Sequence, residues 1–104
     1  MISLAFLDGK ITFDELSLID HNDIKNHLDS LKEDLLQVEY PKNTLIDVGW
    51  YPSFDPNGAF QVRIIKDFQW DSPQTILIAN SPKELTKVLL KAQNIISQDN
   101  TIDH

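Results

Sequence analysis

From Thr44 to Lys66 apolar and polar residues take turns along the chain, and the period of that pattern changes on either side. Over residues 44–52, Ile46, Val48 and Trp50 share one face while Asp47, Gly49 and Tyr51 share the other, which is the period of a β-strand. Residues 59–66 repeat it, with Phe60, Val62 and Ile64 against Gln61, Arg63 and Ile65. Between them, Ser53-Phe54-Asp55-Pro56-Asn57-Gly58 holds Asp-Pro to start a turn and Asn-Gly to support positive φ, so the pair reads as a hairpin. One antiparallel register satisfies both faces: Ile46 opposite Ile64, Val48 opposite Val62, Trp50 opposite Phe60 and, on the outer face, Asp47 opposite Arg63. A slip by one residue would set apolar against polar throughout. A third strand is expected over Thr75–Ala79.

Elsewhere the spacing is helical. Ile24, Leu28, Leu31 and Leu35 lie four, three and four residues apart behind the cap-type run Asp20-His21-Asn22-Asp23, which predicts an amphipathic helix over 22–36 that ends before Pro41. Its polar face would carry Lys25, Asn26, Asp29, Lys32, Glu33 and Asp34. Ser81, Pro82 and Glu84 form a capping box, and Leu85, Val88, Leu89, Ala92 and Ile95 follow as one stripe, so a second helix is expected over 82–97. Residues 98–104 read as a frayed tail. The opening stretch, Ile2 to Phe13, fits either a hairpin turning at Asp8-Gly9 or an extended arm, which leaves residues 1–20 open. The expected fold is α+β, one domain over 1–104: a three-stranded antiparallel sheet, larger if the N-terminal hairpin joins it, with two helices packed on one face in the order helix-strand-strand-strand-helix.

With 104 residues and 41% hydrophobic content, the chain can bury a core without staples, and it contains no Cys to make them. The first apolar run stops within seven residues and lacks a basic start, so secretion and membrane insertion are disfavoured and the cytoplasm is expected. Sixteen acidic side chains against nine basic ones give a formal charge of −7, which repels nucleic acid and attracts basic surfaces. The imbalance is concentrated: residues 1–52 hold ten acids and four bases, residues 53–104 six and five.

Motifs for chemistry are missing. His27 stands four residues from Asp23 without a third ligand, so no metal is expected. Glycines at 9, 49 and 58 are too far apart for a phosphate-cradling loop, no serine sits in a nucleophile elbow, and pairs such as Asp14-Glu15 and Glu33-Asp34 read as solvated surface. Neither a cofactor nor a catalytic residue is expected. Large aromatics beside acids are the composition of a protein-binding rim as much as of a core edge. The partner-binding candidates are therefore Tyr51, Phe54 and Trp70 with two sets of acids: Asp29, Glu33 and Asp34, with Asp23, on the expected first helix, and Asp47, Asp55, Asp67 and Asp71 around the strand ends. The sequence does not choose between the two sets.

The string Leu45-Ile46-Asp47-Val48-Gly49-Trp50-Tyr51-Pro52, followed by Asp55-Pro56-Asn57-Gly58-Ala59-Phe60 and then Trp70 with Pro73, resembles the central signature of small bacterial immunity proteins. It is most similar to those of contact-dependent growth inhibition systems, over residues 35–96. The resemblance implies a cytosolic protein with no reaction of its own, which neutralises a cognate toxin domain, a basic nuclease where the immunity protein is acidic, by stoichiometric binding. The alternative is an adaptor or regulatory domain for an endogenous partner. A third reading, a small enzyme using a carboxylate pair, would need a concave pocket holding two perturbed carboxylates.

Overall fold

A strand buried on both faces must find backbone partners along both edges, because unpaired N–H and C=O groups cannot be left in a core. That requirement shapes the sheet around the central strand. The computed structural model describes residues 3–20, 24–26 and 28–102. Five strands, β1 (Lys10–Asp14), β2 (Leu36–Tyr40), β3 (Thr44–Tyr51), β4 (Ala59–Lys66) and β5 (Thr75–Ala79), precede one helix, α1 (Pro82–Ile102). The sheet order is β1-β2-β3-β4-β5 with each neighbour antiparallel, a simple meander.

The β3–β4 hairpin has the register that the alternation predicts, with Ile46 on Ile64, Val48 on Val62, Trp50 on Phe60 and Asp47 on Arg63. Trp50 and Phe60 meet edge to face, ring centres 5.0 Å apart at 86°, and the Trp50 Nε1 proton is donated to the Asp55 carbonyl at 2.7 Å. β5 also falls where expected.

The expected architecture of three strands and two helices is corrected in two places. Where a helix was expected over 22–36, residues 24–26 and 28–30 form single 3₁₀ turns, and the chain then extends into β2. A spacing of three or four apolar residues fits successive tight turns laid over a core as well as it fits a helix, and Leu31 and Leu35 are indeed buried. What decides is β3: it is buried from Thr44 to Trp50, and Leu36, Val38 and Tyr40 alternate in the period that pairs with it. The second correction is at the N-terminus. No hairpin turns at Asp8-Gly9; β1 instead pairs with β2, and its register shifts between Ile11 and Phe13. Asp14 ends the strand by accepting from the Ser17 amide at 2.9 Å and the Ser17 hydroxyl at 2.6 Å.

The last helix starts as expected: the Glu84 amide donates to Ser81 Oγ at 3.1 Å, and Glu84 Oε2 accepts from the Asn80 amide at 2.9 Å. It continues past 97 to Ile102, since no Gly or Pro follows Pro82 to stop it. Leu85, Leu89, Ala92 and Ile96 bury one stripe against Val38, Ile46, Val48, Phe60, Val62 and Ala79, and Leu4, Leu16, Ile19, Leu31 and Leu35 extend that core. Gln93 ties the N-terminal segment to the helix. Its Oε1 accepts from the Asp8 amide and the Tyr40 hydroxyl, both at 2.7 Å, and its Nε2 donates to the Phe6 carbonyl at 3.2 Å.

Candidate functional site

Antiparallel partners share a face, so one residue from each strand forms a row across the side of the sheet turned away from α1: Phe13, Gln37, Asp47, Arg63 and Ile76. The next row runs through Gly49, Gln61 and Ile78. This open face is neither plainly polar nor plainly apolar. Phe13, Ile76 and Ile78 are exposed on it, while Asp47 keeps only 6% of its surface.

Beside Asp47 a further stretch of backbone approaches the sheet. Ahead of β2, residues 31–35 follow β3 beyond the regular ladder: the Leu35 amide donates to the Val48 carbonyl at 2.9 Å, the Trp50 amide to Lys32 at 2.7 Å and the Phe54 amide to Leu31 at 2.8 Å. Glu33 and Asp34 lie between these bonds and cross over Gly49. A Cβ at Gly49 would collide with the Glu33 carbonyl, so the crossing needs a residue without a side chain.

The result is a small electrostatic site. Asp47 accepts a side-chain hydrogen bond from Gln37, yet its Oδ1 has no partner. Burial raises the Asp47 pKa and the nearby Asp34 carboxylate raises it further, while Arg63 and the Gln37 bond pull it down. Arg63 donates from Nε and Nη2 to Gln61 Oε1, at 3.3 and 2.9 Å, and its guanidinium carbon stands 4.5 Å above the centre of the Tyr51 ring. The Tyr51 phenol is likewise raised, chiefly by burial; Arg63 opposes the shift, and Asp47, Glu33 and Asp34 add to it.

Of the ten candidate residues that the structure describes, Glu33, Asp34, Asp47 and Tyr51 come together here, drawn from both of the sets that the sequence kept apart. The others lie elsewhere. Asp29 is exposed and lines a recess of about 290 Å³ with Glu15 and Lys32. Phe54 is exposed in the β3–β4 loop, and Asp55 serves that loop: its Oδ1 accepts from the Asn57 amide at 2.8 Å and its carbonyl from Gly58 at 3.0 Å. Asp67, Trp70 and Asp71 are exposed in the β4–β5 loop at the opposite end of the strands, where the Asp67 amide donates to the Asn43 carbonyl at 2.8 Å. The residues missed were Phe13, Gln37, Arg63, Ile76 and Ile78. The outer-face positions of Arg63, Ile76 and Ile78 followed from alternation, whereas nothing local marked Phe13 or Gln37.

A recess of about 550 Å³ lies between the N-terminal segment and α1 and is lined by Asp8, Lys10, Glu39, Tyr40 and Ile96 among others. Among the described residues no three acids or histidines are grouped to hold a metal ion, and no helix is long and apolar enough to cross a membrane. His21, Asp23, His27 and His104 lie outside the described residues. No protein family, curated protein or solved structure matches the chain.

Proposed function

We propose that this chain is an immunity protein of the cytosol, which binds a cognate toxin domain, a basic nuclease, and neutralises it by stoichiometric contact through the open face of the sheet, with no cofactor and no reaction of its own. The observation that carries this reading is the grouping of Glu33, Asp34 and Asp47 around Gly49 on a face that also exposes Phe13, Ile76 and Ile78. An interface with apolar anchors and a charged surround suits protein binding, and carboxylates set where phosphates would lie can occupy a nuclease site. The chain's net charge of −7 would speed encounter with a basic partner. The resemblance around Leu45–Pro52 and Asp55–Phe60 points the same way.

The test is co-expression with the product of the reading frame immediately upstream. A one-to-one complex, with loss of that product's toxicity, is expected. If the neighbouring product is harmless and does not bind, while this chain co-purifies with a housekeeping protein, the adaptor reading replaces this one.

A further inference from the structure

The two edges of the sheet are built differently. β1 begins with Lys10 and breaks its register between Ile11 and Phe13, and a lysine and a bulge are two ordinary means of blunting an edge. β5 has neither. It pairs with β4 on one side only, in unbroken register from Thr75 on Ile64 to Ala79 on Phe60. Ile76 and Ile78 are 50% and 51% exposed on the open face, and Leu77, on the helix side, is only half-buried.

Charge singles out the same edge. Residues 72–82 contain no charged side chain, the longest such stretch in a chain with 25 of them. Two copies that each carry −7 repel at most approaches, and least at this one. The sequence Thr75-Ile76-Leu77-Ile78-Ala79 is also nearly the same read in either direction. If a second copy of the strand lies antiparallel with Leu77 on a two-fold axis, Ile76 opposes Ile78 of the other copy, Leu77 opposes Leu77, and Thr75 opposes Ala79. Apolar then meets apolar at the three central positions, with a threonine against an alanine at either end, as a self-complementary contact requires.

We infer that β5 is a self-association edge, through which two copies of this chain join into one continuous ten-stranded antiparallel sheet. The contact is one five-residue strand pair, small beside the roughly 1,000 Å² that a lasting interface buries, so the dimer forms and parts with concentration. The acidic site over β3 lies two strands away and stays uncovered in each copy. The inference does not rest on the proposed function.

The experiment is sedimentation equilibrium of the full chain over a wide concentration range, with circular dichroism of each variant as the folding control. The weight-average mass of the wild type should climb from 11.9 kDa toward twice that value. Ile76→Lys with Ile78→Lys should stay monomeric throughout, as should Ile76→Glu with Ile78→Glu, because like charges then oppose each other across the axis. An equimolar mixture of the two variants should regain the dimer. In the unaltered chain, amide exchange over 75–79 should slow as concentration rises. A wild type that remains at 11.9 kDa, variants that associate as the wild type does, or a mixture that stays monomeric would each overturn the inference.

Discussion

Asp47 and Arg63 stand directly opposite each other on β3 and β4, but the guanidinium is turned to Gln61 Oε1 and the Tyr51 ring, and Asp47 Oδ1 has no hydrogen-bond partner. A cross-strand pair of opposite charge is thus held partly unmade. The carboxylate lies within the field of Asp34, and the positive charge is diverted to Gln61 on its own strand and to Tyr51 on β3.

Asp47 therefore costs stability when ionised. Its folded pKa lies above the unfolded value of 3.8, so the folded state holds the proton more tightly. Stability is highest with the carboxyl protonated, falls as pH rises from the unfolded pKa to the folded one, and stays lower above that interval. Asp47→Asn, which cannot ionise, is expected to unfold at a higher temperature than the wild type at pH 7. The gap should shrink as pH drops through the ordinary carboxylate range. Thermal melts of both proteins between pH 3 and pH 7 check this.

At alkaline pH the sensitive group is Tyr40. Burial raises its pKa from 10.0 to about 12, with Asp8 adding to the shift and a backbone hydrogen bond at Gly9 opposing it. The unfolded chain releases this proton first, so the stabilisation is complete below pH 10 and is lost as pH rises toward 12. Tyr40→Phe gives up the bond to Gln93 and should cost about 1 kcal/mol at pH 7. The difference from wild type should narrow above pH 10, because phenylalanine has no proton to lose. Denaturant titrations at neutral and alkaline pH read both effects.

Trp50 tests the core. It is 4% exposed, packs edge-on to Phe60 and donates its indole proton into the β3–β4 loop. Trp50→Ala should cost about 3–5 kcal/mol. Out of the roughly 5–15 kcal/mol that holds a domain together, such a loss leaves a marginal fold. Urea unfolding measures it, and a loss below about 1 kcal/mol would contradict the packing described for Trp50.

The last expectation follows from the proposed basic partner. Glu33→Lys with Asp34→Lys should slow association with a basic partner by about tenfold or more, and wild-type association should slow as salt rises. Asp67→Lys with Asp71→Lys should have little effect. Those residues lie beyond the Thr44 end of the sheet, five residues or roughly 17 Å along β3 from Gly49, about twice the screening length at physiological salt. Stopped-flow association rates separate the two variants, and equal slowing in both would deny the open face any special part.

How much of this was legible depended on whether a segment's pattern admitted a single reading. In β3 and β4 both faces are patterned, so one register survived. Residues 24–40 satisfy two periods at once: Leu28, Leu31 and Leu35 fit a helix, whereas Leu36, Val38 and Tyr40 alternate up to Pro41. The tie is broken by the edge of β3, a tertiary demand that no window of the sequence displays. β1 escaped notice because Ile11 and Phe13 both keep more than a third of their surface exposed and straddle a register shift, so no buried face is patterned. The Gln93 bonds to Tyr40 and Asp8 join residues 53 and 85 positions apart, which no local signal could announce. For the site, alternation placed Asp47 opposite Arg63, but nothing local announced that Gly49 admits a second backbone above the sheet or that Asp47 is buried.

That crossing separates address from architecture. The path of residues 31–35 is fixed by main-chain bonds at Leu31, Lys32 and Leu35, and its height above the sheet by the bare α-carbon of Gly49. The exposed side chains of Glu33 and Asp34 take no part in either constraint. Two adjacent codons can therefore vary while the scaffold that presents them keeps its shape, so under the proposed function recognition can drift as a partner drifts without the fold having to be found anew.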